Sequence, residues 1–122
     1  MMAPELLSES APASFASDVY AFGMTVYEVV TGKVPFEGIW VYGVPAAVLN
    51  GVRPECPESV SGELWELLQA CWHQNPAQRL TMDEIVIRLG YIIAQQRRRT
   101  VERLVHNWRR RHPPSSYMSL PG

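Results

Sequence analysis

The sequence predicts an all-α fold, and three segments carry the prediction. Ser17 to Gly32 reads SDVYAFGMTVYEVVTG, a long apolar run between a capping residue and a stop. Gly62 to Trp72 places Leu64, Leu67, Leu68, Cys71 and Trp72 at helical spacing. Thr81 heads a run holding Ile85, Ile87, Leu89, Ile92 and Ile93, with Glu84 three residues on completing a capping box. A chain of 122 residues fits one domain, and 47% hydrophobic with 19% charged residues makes it globular rather than disordered.

The elements are expected in this order. Ser17 or Asp18 caps the first long helix, Gly32 ends it in a left-handed conformation and Pro35 blocks continuation. A buried strand is the rival reading of so many Val and Tyr residues; length and caps favour the helix. Its apolar residues cover every side, so it is expected to be buried all round, with Gly23 admitting a close neighbour. Lys33 to Gly38 is a loop, and Ile39 to Asn50 a helix weakened by Gly43 and Pro45. Gly51 to Pro57 is a turn-rich connector, and Ser59 or Ser61 caps the helix that follows. His73 to Leu80 is a loop around Asn75-Pro76. No internal repeat is evident.

Charge is uneven. Met1 to Ala94 holds four cations (Lys33, Arg53, Arg79, Arg88) against eleven acids, a net of −7, whereas Gln95 to Gly122 holds seven arginines against Glu102, a net of +6. Two cysteines, Cys56 and Cys71, are too few for a disulfide scaffold. The chain shows no signal-peptide pattern, and Val19 to Val30, its longest mostly apolar stretch, falls short of the ~20 residues a membrane span requires. These features point to a cytoplasmic protein with reduced thiols.

Identity lies in a series of short motifs: Ala3-Pro4-Glu5, Asp18-Val19-Tyr20-Ala21-Phe22-Gly23, Thr31-Gly32-Lys33-Val34-Pro35-Phe36, Gly51-Val52-Arg53-Pro54, then Cys71-Trp72, Pro76 and Arg79. In this order they resemble the C-terminal part of a protein kinase catalytic domain, with Met-Ala-Pro-Glu and Cys-Trp leaning toward the tyrosine-kinase-like group and tyrosine kinases close behind. The resemblance covers roughly Met2 to Ala94. It implies the helical C-lobe of the protein-kinase-like fold after the activation segment, a central buried helix with others around it, and no N-lobe in this chain. Residues 1–94 are then a partial kinase domain and residues 95–122 a basic amphipathic helix with a flexible tail.

The resemblance also implies roles. The glutamate of Ala3-Pro4-Glu5 would pair with Arg79, for which a planar guanidinium fork suits a buried carboxylate. Asp18 matches the aspartate that in the family holds the catalytic loop; read without the family, it is an acid favoured at a helix N-terminus. Ala3, Pro4, Glu5, Asp18, Gly23 and Arg79 are thus structural family positions. Leu80 stands where tyrosine kinases usually have proline, and Tyr20-Ala21 where tryptophan and serine are common.

The parts that carry phosphoryl transfer are missing from these residues. Kinases use a Gly-rich loop, a strand lysine, a His-Arg-Asp loop ending in Asn, and Asp-Phe-Gly. The eight glycines never fall in G-x-G-x-x-G, the only lysine is Lys33, and neither Asp18 nor Asp83 precedes Phe-Gly. No catalytic, cofactor-binding or metal-ligating residue is assigned; ATP and Mg²⁺ belong to the complete parent. Cys56, Cys71, His73, His106 and His112 lack zinc spacing, and Cys71 reads as a packed thiol.

Beyond the lobe, Val101, Leu104, Val105 and Trp108 fall on one helical face amid seven arginines. Such a helix suits a membrane surface or an acidic partner; its plainer reading lays the stripe on the lobe and leaves the arginines in water. A single aromatic argues against nucleic acid. Ser115-Ser116-Tyr117 offers hydroxyls for phosphorylation, with the unmodified tail as the default. Two functions follow: a fragment of a protein kinase, whose parent moves phosphate from ATP to protein Ser/Thr or Tyr hydroxyls and meets a protein substrate or signalling partner through the lobe; or a non-catalytic, kinase-derived scaffold. Met2 directly before Ala3-Pro4-Glu5 makes MMAPELLSES read as the middle of such a domain.

Overall fold

The computed structural model describes residues 2–8 and 11–114. Among these residues it contains helices and turns and no strand. The helices are α1 (Pro4–Ser8), α2 (Phe15–Thr31), α3 (Val44–Leu49), α4 (Gly62–Cys71) and α5 (Met82–Arg111), with 3₁₀ turns at Val41–Gly43 and Pro76–Gln78. Contacts divide the chain into two units, Met1–Leu89 and Gly90–Gly122. Ser115-Ser116-Tyr117 lies outside the described residues, as does Met1.

In the first unit α2 packs against α4 and the 3₁₀ turn at Pro76–Gln78, while α1 packs against α3. The cap of α2 lies three or four residues earlier than its sequence suggests. Ser14, not Ser17 or Asp18, is its cap: Ser14 Oγ accepts from Ser17 N at 3.2 Å and Ser17 Oγ accepts from Ser14 N at 2.8 Å. A reciprocal serine pair supplies the two bonds that Ser/Thr with Glu/Gln usually supply. Gly32 closes the helix at φ 69°, its N–H on Glu28 O.

The expectation that α2 is buried all round is corrected. One face, Val19, Tyr20, Gly23, Met24 and Tyr27, is buried, whereas Phe15 is 89% and Val29 78% exposed. α4 and the 3₁₀ turn at Pro76–Gln78 cover one side of this 17-residue rod, and Phe15 and Val29 near its two ends stay open.

Close approach of α2 and α4 depends on Gly23. A Cβ there would lie 2.6 Å from Trp72 Nε1 and 2.8 Å from Cys71 Cβ. Trp72 also meets Tyr27 and Trp65 edge to face, at 6.0 and 5.5 Å between ring centroids. Such geometry adds about 0.5–1.5 kcal/mol per pair beyond area burial. With Leu64, Leu67, Leu68 and Cys71, all buried, these rings form the core between the two helices.

The expected helix over Ile39–Asn50 divides into the 3₁₀ turn and α3, because Pro45 suits only a helix's first turn and restarts it there. Ser61 caps α4 by accepting from Leu64 N at 3.3 Å. Thr81 Oγ1 accepts from Glu84 N at 3.2 Å, the formed half of the expected capping box.

α5 then runs unbroken for 30 residues, through the point at which the sequence suggests a separate tail helix. Ile85 and Ile92, seven residues apart, are buried on one side. Val101 lies nine residues beyond Ile92, half a revolution away at 100° per residue, and Trp108 close behind it. The residues of this stripe are exposed: Val101 57%, Leu104 60%, Val105 39%, Trp108 52%.

Candidate functional site

Glu5 and Arg79 meet across 74 residues of chain. α1 is too short to hold itself by its own hydrogen bonds. Ala3 and Pro4 are buried and anchor its start, and this presents Glu5 inward. Arg79 follows the 3₁₀ turn that Asn75 initiates by accepting from Ala77 N at 3.0 Å. Arg79 Nη1 donates to Glu5 Oε1 at 2.7 Å, and Nη2 to Oε2 at 2.8 Å. This is the bidentate form of the pair, stronger and more directional than a single contact.

The rest of the guanidinium is also engaged. Nε donates to His73 O at 2.8 Å and Nη1 to Ala16 O at 2.9 Å. The Arg79 side chain is fully buried, and that of Glu5 is 12% exposed. One residue therefore ties together α1, the N-terminal turn of α2 and the loop after α4. Arg79 holds the Glu5 carboxyl below its ordinary pKa, chiefly by hydrogen bonding and against the opposing effect of burial.

Tyr20 lies between two cations. Its ring centroid is 5.2 Å from the Arg79 guanidinium and 5.1 Å from that of Arg53. Arg53 Nε donates to Trp72 O at 3.0 Å, Nη1 to Val52 O at 2.9 Å, and Nη2 to Gln74 Oε1. Gln74 Nε2 in turn donates to Leu49 O at 3.1 Å. Burial pushes the Tyr20 phenol up and the Arg53 guanidinium down. The phenol oxygen is buried without a partner among the described residues, so in this setting Tyr20 acts as a ring against two guanidinium groups.

The remaining predicted positions stay apart from this cluster. Gly23 serves the α2–α4 contact. Asp18 is exposed in the first turn of α2, where the helix dipole favours an acid, and its carboxylate takes no bond among the described residues. Arg53 and Tyr20 belong to the quoted motifs, but nothing in the sequence reading gives them this role. The available signal was scarcity: Arg53 and Arg79 are two of only four cations in an acidic stretch.

The residues present do not fit ATP or Mg²⁺. Among the described residues no group of three or more His, Cys, Asp or Glu side chains comes together. Lys33 is exposed in the loop after α2. A cleft of about 510 Å³ is lined by Met2, Leu7, Val34, Phe36, Val41 and Val44, among others, and is apolar where a triphosphate needs cations. Burial raises the Cys71 thiol to about 11, and its side chain is packed in the α2–α4 core.

Comparison with known proteins agrees with this architecture. Residues 1–89 match the family model described as protein tyrosine and serine/threonine kinase. A serine/threonine-protein kinase of Arabidopsis thaliana is 33% identical over 95 residues, which are 77% of this chain and 16% of that protein. A light-sensor protein kinase of Ceratodon purpureus is 46% identical over 77 residues, 62% of this chain and 6% of that protein. A probable serine/threonine-protein kinase of Dictyostelium discoideum is 40% identical over 87 residues, 71% of this chain and 7% of that protein. The chain thus spans 16% or less of the length of these relatives. From the matched residues and the helical lobe they build, this chain belongs to the protein tyrosine and serine/threonine kinase family.

Proposed function

We propose that residues 2–94 are the helical C-lobe portion of a kinase domain of the tyrosine-kinase-like group. Their work is mechanical: they hold the segment beginning at Ala3-Pro4-Glu5 at a fixed place on α2. The bidentate Glu5–Arg79 pair carries this reading, because it ties an N-terminal segment with little core of its own to the foot of the central helix. Phosphoryl transfer from ATP to a protein hydroxyl is the activity of the whole protein and depends on positioned Mg²⁺, a lysine and an aspartate supplied by other segments.

The test exchanges Met2–Ala94 for the matching segment of an active serine/threonine kinase. The chimaera is expected to phosphorylate that kinase's substrate, and to lose most activity with Arg79→Leu while still binding nucleotide. The chain itself is expected to show no magnesium-dependent ATP binding by calorimetry. Binding by the chain alone, or an inactive but folded chimaera, would overturn the reading.

The scaffold reading rests on a separate observation. Trp40 and Tyr42 are 73% and 77% exposed, stack edge to face at 4.9 Å between centroids, and flank the chain that lines the apolar cleft. Exposed aromatic pairs of this kind are enriched at protein interfaces. A folded but inactive chimaera would favour this reading.

A further inference from the structure

We propose that the C-terminal half of α5 lies flat on an anionic lipid surface. From Gln95 to Arg111 the helix holds seven arginines and one acid, Glu102. Val101, Leu104, Val105 and Trp108 occupy about 100° of its circumference, and all four are exposed. Four of the seven arginines lie along or beside that stripe, and Arg99, Arg103 and Arg110 fall on the opposite side of the helix. Arg111 continues the Leu104 edge one heptad on, Arg98 and Arg109 border the Val105 edge, and Arg97 stands one turn before Val101. Arg98 makes an exposed 3.6 Å pair with Glu102, which sets the only acid of this stretch beside a cation and leaves the basic field intact.

A plane of anionic headgroups matches this layout. The apolar stripe enters the acyl boundary, and guanidinium groups on both edges reach phosphates while their stems lie along the interface. Trp108, stacked on His112 at 4.4 Å, supplies the aromatic ring such interfaces favour. Pairing of α5 with α5 in a second copy would bring two strongly positive helices together, which like-charge repulsion opposes. The helix would lie on the membrane rather than cross it, since no described helix is long and apolar enough to span one.

The test is flotation of the full chain with phosphatidylcholine vesicles, with and without phosphatidylserine. Binding is expected to the anionic vesicles only and to weaken as salt is raised. Arg98→Gln with Arg109→Gln is expected to weaken it about fivefold per arginine. Leu104→Glu should abolish it with helix content unchanged by circular dichroism. The proposal is overturned by no vesicle binding, by equal binding to neutral vesicles, or by anionic binding indifferent to Leu104→Glu. It is equally overturned by a dimer that Leu104→Glu dissolves without vesicle association, or by binding to polyglutamate as tight as to vesicles.

Discussion

Arginine does opposite things in the two units of this chain. In Met1–Leu89 it is scarce, and two of the three are tied to the fold: buried Arg79 spends its N–H groups on one carboxylate and two carbonyls, and half-buried Arg53 spends its own on carbonyls and an amide, while Arg88 is exposed. In Gly90–Gly122 it is abundant and exposed, and Arg98 reaches Glu102 only at 3.6 Å. The contrast shows that the worth of a charge follows from what surrounds it. A buried cation with four of its five N–H donors bonded organises three chain segments; an exposed one sets a field and contributes little to folding.

The largest way to break the contrast is Arg79→Ala. It leaves the Glu5 carboxylate part-buried without its cation and the His73 and Ala16 carbonyls without a donor. Loss of one partner of a buried pair costs about 3–5 kcal/mol, so denaturant unfolding is expected to shift to much lower midpoint or vanish. Arg79→Lys should recover only part of this, because an ammonium cannot fork to both oxygens.

Acid attacks the same pair from the other side. The folded-state pKa of Glu5 is lowered, so its contribution is present above the ordinary glutamate pKa and is lost as pH falls through the folded value. Thermal midpoints are expected to fall across that acid range, and Glu5→Gln should flatten this limb of the curve at the cost of lower stability near neutrality.

Gly23→Ala tests the packing that places the pair. Its Cβ would meet Cys71 Cβ at 2.8 Å, close to the α4 backbone and unable to swing away. Overpacking costs about 1–3 kcal/mol, offset by up to about 1 kcal/mol of gained helix propensity. Net destabilisation by urea titration is the expected result.

The smallest effect is expected where arginine is commonest. Arg98→Ala removes an exposed i,i+4 pair and should change stability by less than about 0.5 kcal/mol. A loss comparable to that of Arg79→Ala would erase the distinction between the two regions.

Much of this was legible in the residues. Helix periods, Gly32 as a stop, Ser61 and Thr81 as caps, and the spacing of Leu64, Leu67, Leu68 and Cys71 are local features, set by neighbours within a turn or two. The Ala-Pro-Glu motif and the late arginine could be read as partners only through family resemblance, because nothing local links positions 74 residues apart. The start of α2 is not legible locally, because Ser14, Ser17 and Asp18 are all acceptable caps and only geometry selects among them.

By itself the sequence determined that the chain is helical, where apolar faces lie on each helix, that its charge is divided, and that its 122 residues spell no His-Arg-Asp or Asp-Phe-Gly motif. Tertiary structure alone decided which apolar face of α2 is covered and that two guanidinium groups meet the ring of Tyr20. The physical reason is range. Propensity and periodicity act over a few residues, whereas burial and ion pairing depend on which distant segment arrives, and that is settled only when the whole chain packs.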